Sequence, residues 1–287
     1  MNNKTYSDLL GLIQALAGVD AFTTLEQVKI LAIVNRRLYE AYEASPTWPR
    51  YYFPAQARPI VDGIISRSYS VVGGTRTTSH ASRSVKTVTI VCTASVDFVA
   101  GMDVTISGLS GTTTPNGTYT VTGVTTTTLD DDTFTYDLAS GTGSETYTGT
   151  GTITPVAVPE IGEFNRIYSG NPYVARGYRE FQFLSDFDGA RIINVGGVAN
   201  GAWVNFKQEW PGPYTTTSTD IPQEFFNYTG HASYADFLRM DGQTDKAIAE
   251  EKIAQNYIDI ELMKAENQSN VTNSYRRIST YTSRQYR

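Results

Sequence analysis

The chain has 287 residues, of which 40% are hydrophobic and 18% are charged, a composition typical of globular proteins. The formal net charge of -6 argues against a broad basic surface for general nucleic-acid binding. A single cysteine, Cys92, excludes an internal disulfide framework and suits a protein that folds in a reducing cytoplasm.

The first predicted element is an amphipathic helix that ends near Gly18. Its apolar residues from Leu9 onward have helical spacing, and Ser7 is the expected N-cap. Gln14 interrupts the apolar segment and Asp8 precedes it, which favours a helix over a signal peptide. No apolar run in the sequence is long enough to cross a bilayer, so we expect no membrane contact.

A second helix is predicted to begin at the capping box formed by Thr23 and Glu26 and to end before Pro46. We expect this helix to carry an apolar stripe. That stripe consists of Leu25, Val28, Leu31, Leu38 and Tyr42.

The segment SPTWPRYYFP follows as a stiff, extended connector rich in aromatic residues. Tyrosine and tryptophan are frequent at interface hot spots, so we expect this segment to contact a neighbouring subunit. The candidate interface anchors are Trp48, Tyr51, Tyr52 and Phe53.

Residues 85–154 are predicted to form a separate, inserted all-β domain. The composition changes abruptly to Thr, Val, Gly and Ser, and apolar residues alternate with polar ones over short runs such as Val88, Ile90 and Cys92. Alternation with a period of two, bounded by glycine-rich turns, is typical of half-buried antiparallel strands. We therefore predict a small β-barrel or sandwich.

After this domain the chain returns to strands, the clearest being RIINV and GAWVNFKQEW, and then to helices. Pro222 is expected at the first position of one helix, and Gly242 and Thr244 separate it from the last helix. The two helices should form an antiparallel hairpin because their connection is short. The last helix has an apolar face made of Ala249, Ile253, Tyr257 and Ile260.

Residues 269–287 form a basic tail on an acidic protein and contain no acidic residue. One interpretation is a frayed, solvated terminus. We favour the other, an extended arm that orders against a partner through tyrosine and arginine side chains. The candidate contact residues of this arm are Tyr275, Arg276, Arg277, Tyr281, Arg284, Tyr286 and Arg287.

Together these elements predict an α+β fold in which terminal helices pack as a bundle with a central β region. The main domain would comprise residues 1–84 and 155–268, with the all-β domain at 85–154 inserted into it and the arm at 269–287 following it.

The sequence contains no convincing catalytic, cofactor or metal site. The two histidines, His80 and His231, are far apart in the chain and lack the spacing of metal ligands. The run Asp130-Asp131-Asp132 is interpreted as a solvated turn, because no further acidic ligand follows at calcium-loop spacing. We expect a protein that is not an enzyme.

Three stretches together resemble the head-to-tail adaptor proteins of short-tailed bacteriophages, the tail tubular protein A or gatekeeper-type connector family. They are VNRRLYEAYEASPTWPRYYFP, then VNFKQEWPGPY with IPQEFFNYTGHASYADFLRMDG, and finally QTDKAIAEEKIAQNYIDIELMKAENQ. They cover roughly half of the chain. The resemblance lies in the order of the elements and in the types of residue they contain, and not in an invariant motif. The Thr-rich domain departs from the compact pattern of the family.

The resemblance implies a virion protein of the neck or tail, assembled in the host cell cytoplasm as a ring that is dodecameric in the family. It also implies contact with the portal protein, with a tail nozzle or tail tube protein, and with double-stranded DNA that passes through the lumen without sequence-specific binding. The C-terminal arm would dock on the portal. A net negative charge fits such a channel, since a basic lumen would hold the phosphates.

Two other functions remain open from the sequence. One is a different neck or tail-completion ring protein of the same virion. The other is an adhesin or carbohydrate-binding virion protein in which the domain at 85–154 carries the activity.

Overall fold

The structure is a computed structural model that describes residues 3–68, 76–93, 98–125, 133–174, 177–193 and 201–285, with the side chains of the last helix described through Asn267. Over these residues the fold is mixed α/β, with four helices, several sheets and more strand segments than helices. The chain divides into two compact units: Met1–Tyr52 with Trp210–Arg287, and Phe53–Glu209. Each unit is described in turn.

The helices are α1 (Tyr6–Ala17), α2 (Thr24–Glu43), α3 (Gln223–Met240) and α4 (Thr244–Gln285). The strands are β1 (Asn3–Lys4), β2 (Tyr52–Pro59), β3 (Ile64–Ser66), β4 (Arg76–Ser84), β5 (Thr87–Cys92), β6 (Asp103–Ser107), β7 (Gly117–Thr125), β8 (Thr133–Asp137), β9 (Ser144–Tyr147), β10 (Thr152–Pro155), β11 (Ile161–Tyr168), β12 (Phe183–Ser185), β13 (Gly189–Ile192), β14 (Gly201–Gln208) and β15 (Ile221–Pro222).

Capping residues define the starts of the first two helices in the helical unit. Thr23 caps α2 in the predicted capping box with Glu26. The prediction that Ser7 caps α1 is wrong, because Thr5 is the N-cap and forms its own capping box with Asp8. Asp8 supplies the acidic partner that Ser7 lacks at that spacing, so the helix begins earlier. Gly18 ends α1 in the left-handed conformation, as predicted.

Helix α3 is the central element of the helical unit and contacts each of the other helices. Its inward-facing residues are mostly small, which allows close approach of neighbouring helices. At Gly230, for example, an added Cβ would overlap the side chain of Leu12 on α1. The shared core contains Leu9, Val34, Phe225 and Ile258, one from each helix.

The last two helices follow the predicted hairpin. Pro222 is the N-cap of α3 and so precedes the first helical residue by one position. Gly242 has a φ of 76° in the turn before α4, a conformation that glycine adopts readily. Helix α4 extends to Gln285, so the backbone of 269–285 is helical where an extended arm was predicted.

In the second unit, two three-stranded sheets surround one core. Their strand orders are β11-β14-β2 and β12-β13-β3, and the pairings of β11 with β14, β12 with β13 and β13 with β3 are antiparallel. The core includes Ile65, Ile167, Ile192 and Phe206. The predicted strands in RIINV and GAWVNFKQEW are confirmed as β13 and β14, while residues 194–200 between them lie outside the described residues.

The Thr-rich region forms a sheet of seven strands in the order β10-β6-β7-β8-β5-β4-β9, and β10 also pairs with β4. That additional pairing closes a circuit of strands around a separate core, which contains Val88, Ile90, Phe134 and Tyr136. The predicted start at residue 85 is too late, since β4 belongs to this sheet. The sequence of β4, RTTSHASRS, lacks apolar alternation because its inward positions are Thr78, Ala81 and Arg83.

The compact units also differ from the predicted domains. We expected the β region around residues 53–84 and 155–209 to belong with the terminal helices, but it groups with the Thr-rich sheet. A direct contact shows why these two β regions cluster together. Trp203 of β14 packs with Ala57, Val99 and Met102, which join β2 to the segment that precedes β6.

Candidate interaction surfaces

Two of the four predicted interface anchors, Trp48 and Tyr51, are buried in the core of the helical unit. Trp48 is 2% exposed, and its indole Nε1 donates a hydrogen bond of 3.0 Å to the carbonyl of Ala41. The rings of Trp48 and Tyr51 pack against Phe225 of α3, with centroids 5.1 and 6.1 Å away. These two anchors therefore stabilise the helical core, and the hypothesis that they face a neighbour is wrong for them.

The other two anchors are only half-buried. The ring of Phe53 is stacked on that of Phe206 in β14, with centroids 5.4 Å apart. Tyr52 is the last residue of the N-terminal segment of the helical unit. Three of the four anchors therefore pack against aromatic rings of the same chain: Trp48 and Tyr51 on Phe225 of α3, and Phe53 on Phe206 of β14.

The predicted C-terminal contact residues are placed only in part. The backbone at Tyr275, Arg276, Arg277, Tyr281 and Arg284 is helical and continues α4. Tyr286 and Arg287 lie outside the described residues. The portal-docking role of this segment stays a prediction.

A buried arginine on α2 connects three helices. Arg37 is 8% exposed and forms a bidentate ion pair with Asp236 of α3, at 2.7 and 2.9 Å. Its Nη1 and Nη2 also donate hydrogen bonds to Glu251 of α4, at 3.1 and 2.9 Å. A planar guanidinium matches paired carboxylates in this way, so the network fixes how α2, α3 and α4 are arranged.

The network is electrostatically balanced. Burial by itself would raise the pKa of Asp236, but the hydrogen bonds and charge of Arg37 outweigh it and hold that pKa below its ordinary value. Arg239 and Arg36 also bind the Asp236 carboxylate. Every charge in the cluster has a partner, and the cluster offers no reactive group to a substrate.

One side of α2 is apolar and exposed, and it includes two residues of the predicted stripe, Leu25 and Val28. Leu25 is 67% exposed, Val28 is 63% exposed and Tyr39 is 47% exposed, and Ala32 between them is also exposed. These four residues, here called the α2 exposed face, are spaced as a and d positions of a heptad. The buried side of the same helix uses other positions: Ile30, Val34, Arg37, Leu38, Ala41 and Tyr42.

Helix α4 repeats this pattern. Ile253 is 42% exposed, Ile260 is 38% exposed and Met263 is 56% exposed, with exposed Ala249 in the same heptad register. We call these four residues the α4 exposed face. The predicted apolar face of this helix is therefore largely solvent-facing, while the core takes Ala247, Ala254, Ile258 and Ala265.

The second unit contains a cavity of about 330 Å³ between β2 and the start of the Thr-rich sheet. Its walls include Phe53, Met102, Val156 and Trp203, with Asp103 as the charged residue. The size is at the lower end for small-molecule sites. The carboxylate of Asp103 accepts a hydrogen bond of 2.6 Å from the hydroxyl of Thr120, so it is already engaged within the Thr-rich sheet.

The described residues hold no group of three or more metal-ligating side chains that could bind an ion. His231 makes a 2.8 Å contact with Glu250 and stacks on Tyr257, which explains it as a packed residue of the helical hairpin. His80 lies in β4 of the other unit, and Asp130-Asp131-Asp132 lies outside the described residues. Among the helices described, none combines the length and the apolar character that crossing a membrane requires.

Comparison of the chain with protein-family models, with curated proteins and with solved structures gave no match. The functional argument therefore rests on the geometry of the chain itself.

Sequence reasoning missed the Arg37 network. An arginine within a helix is usually solvent-exposed, and the sequence does not show that Asp236 and Glu251, about 200 residues away along the chain, lie beside it. It found Leu25 and Val28 of the α2 exposed face and Ala249, Ile253 and Ile260 of the α4 exposed face, but it did not predict that they are exposed.

Proposed function

We propose that this protein is a structural component of a bacteriophage virion, a head-to-tail adaptor that assembles as a ring between the portal and the tail. In this proposal the terminal helices act as a bundle, and the Thr-rich domain is an all-β insertion. The ring lines the DNA channel, and the protein has no catalytic activity.

The observation that carries the proposal is the pair of exposed apolar faces on α2 and α4. Apolar residues that are exposed in a row along one side of a helix and bordered by polar residues are a feature of interaction sites. The two faces belong to helices from opposite ends of the chain, and the shared core and the Arg37 network hold these helices together. This is what a subunit needs to present fixed contact surfaces to other copies.

The position of the Thr-rich sheet supports an insertion. Its first strand, β4, pairs with its last, β10, through Thr77 with Thr152 and Arg76 with Ile153. The chain thus enters and leaves this sheet at neighbouring points, as inserted domains do. An insertion of this kind leaves the rest of the subunit free to assemble.

The proposal is tested by negative-stain microscopy of the purified protein mixed with the portal protein of the same phage. We expect a ring stacked coaxially on the portal, absent from images of portal alone. Failure of the full chain to bind portal at concentrations well above those in an infected cell counts against the proposal. A ring that binds only a tail component points to the runner-up, a different neck or tail-completion protein.

A second candidate, an adhesin, draws on the same Thr-rich sheet, which has its own core. Replacing residues 76–155 with a short glycine-serine linker separates the two, because the ends of the sheet are adjacent. An adaptor should keep portal binding after this change. An adhesin should lose host attachment and glycan binding, with ring assembly unaffected.

A further inference from the structure

We infer that the cavity beside Trp203 binds a neutral sugar residue of a glycan, which stacks on the indole and donates a hydroxyl hydrogen bond to Asp103. The inference goes beyond the proposed function and does not depend on it, since it concerns a cavity of the second unit and not subunit assembly or portal binding.

The walls of the cavity are held in place by the chain's own hydrogen bonds. The backbone N–H of Val156 donates to the carbonyl of Asp103 at 3.0 Å, which joins two of the segments that line the cavity. Ala55 in β2 has a φ of 48°, a conformation that alanine rarely adopts, and its N–H donates to Oδ1 of Asn205 at 2.7 Å. Residues held in such conformations are concentrated at binding sites, and a preformed cavity loses little conformational freedom when a ligand enters.

Trp203 supplies an apolar wall on which a ligand can stack. Its indole is half-buried and packs with Ala57 and Met102, which also line the cavity. Gly101 has no Cβ, and this lets its backbone lie against the edge of the indole ring. The face of an aromatic ring is negative, so it attracts the C–H groups of a sugar ring, which are slightly positive. The apolar side of a sugar residue therefore has a partner in this cavity.

Two polar side chains line the cavity and have hydrogen-bonding atoms that the described residues leave unused. Thr120 donates to Oδ1 of Asp103 at 2.6 Å, which orients the carboxylate and leaves Oδ2 as an acceptor. Arg58 donates to Oε1 of Gln56 at 3.2 Å, and because arginine only donates, the amide NH₂ of Gln56 is left as a donor. Sugar hydroxyls both donate and accept, so they match either group.

Charge and size narrow the class of ligand. Among the described residues, no lysine, arginine or histidine lines the cavity, which disfavours phosphates, carboxylates and nucleic acids. A volume of about 330 Å³ is small for a ligand site and suits a single sugar residue. Pro54 and Ala157 line the cavity and are exposed, so the rest of a glycan chain can extend into solvent. A single carboxylate also suits an organic amine, and the experiment separates the two ligands.

The inference is tested by titrating the full chain with methyl glucoside, methyl galactoside and N-acetylglucosamine. Ligand-observed NMR and tryptophan fluorescence report binding. We expect at least one of these sugars to bind at millimolar concentration, equally well in low and high salt, because a neutral ligand is not affected by screening.

Two variants locate the bound sugar. Asp103→Asn should weaken binding roughly tenfold, since an amide oxygen is a weaker acceptor than a carboxylate. Ala157→Phe should block binding by filling the cavity, with the circular dichroism spectrum of the parent. Asp137→Asn is the matched control and should bind as the parent does. Asp137 is also an exposed residue of the Thr-rich sheet, and it accepts a hydrogen bond of 2.7 Å from Thr87.

Each other result overturns the inference. If none of the three sugars binds at millimolar concentration, the cavity is not a sugar site. Sugar binding that survives both Asp103→Asn and Ala157→Phe places the ligand elsewhere on the protein, as does an equal loss in Asp103→Asn and Asp137→Asn. If lysine methyl ester binds in low salt only and the sugars do not bind, the cavity takes a cation instead.

Discussion

The guanidinium of Arg37 binds both carboxylate oxygens of Asp236, with Nε 2.7 Å from Oδ2 and Nη2 2.9 Å from Oδ1. The two residues come from distant parts of the chain, on α2 and α3, and Glu251 of α4 completes the arrangement. A buried ion pair contributes little net stability against a well-packed apolar replacement, but removing one partner is costly. The pair therefore fixes the geometry of the helices that carry the two exposed faces.

Replacing Arg37 with alanine should destabilise the helical unit by about 3 kcal/mol, because the Asp236 carboxylate stays buried with fewer donors. Urea unfolding followed by helical circular dichroism measures this loss. The control is Arg36→Ala, since the Arg36 side chain is 56% exposed and its removal should cost under about 1 kcal/mol. Equal losses for the two variants would contradict a central role for Arg37.

The same network predicts a pH dependence. The pKa of Asp236 is lower in the folded protein than its ordinary value of 3.8, because the arginine partners outweigh the effect of burial. Its contribution to stability is therefore full above about pH 4 and is lost as the pH falls through the folded pKa. Asp236→Asn should be less stable than the parent at pH 7, and this difference should shrink as the pH falls below about 4.

Urea titrations at several pH values measure the stability difference between parent and variant. Other carboxylates also titrate in this range, so the difference between the two curves is the readout. Asp241→Asn, at an exposed position after α3, is the control and should change the free energy of unfolding only slightly at pH 7. A difference for Asp236→Asn that does not change with pH would show that its charge is unimportant.

Exposure of the α2 face predicts that its residues matter little for folding. Leu25→Ser and Val28→Ser should each change the free energy of unfolding by less than about 0.5 kcal/mol. Leu38→Ala, at a fully buried position on the same helix, should cost about 2–5 kcal/mol. Thermal or urea unfolding of the monomer makes the comparison. A large loss for Leu25→Ser would place this face in the protein's own core.

The periodicity of α2 shows how far sequence reasoning reaches. The capping box at Thr23 and Glu26 set the start of the helix correctly, because capping depends on residues within one turn. The stripe of Leu25, Val28 and Leu38 was assigned to one face, yet Leu38 is buried while Leu25 and Val28 are exposed. An amphipathic pattern predicts that a helix has an apolar side. It does not predict whether that side is buried in the core of the same chain or exposed on its surface.

In the Thr-rich sheet the local pattern predicts some strands and misses another. Strands such as β5 were predictable because Val88, Ile90 and Cys92 alternate with polar residues and are fully buried. Strand β4 was missed because it joins the sheet through backbone pairing with β5 while placing few apolar side chains inside. Pairing partners distant in sequence determine such strands, so local patterns are a poor guide to them.

Gly101 offers a test of how the Thr-rich sheet is attached to the rest of its unit. Its φ is 94°, and an added Cβ would overlap the indole of Trp203. Gly101→Ala should therefore destabilise the unit by about 1–3 kcal/mol and shift the fluorescence of Trp203, because overpacking forces the ring to move. Gly143→Ala is the matched control, since Gly143 has a φ of 74° with open space around it. It should cost only the backbone strain of about 1–2 kcal/mol and leave the tryptophan signal unchanged. An unchanged spectrum for Gly101→Ala would show that Trp203 does not pack on this segment.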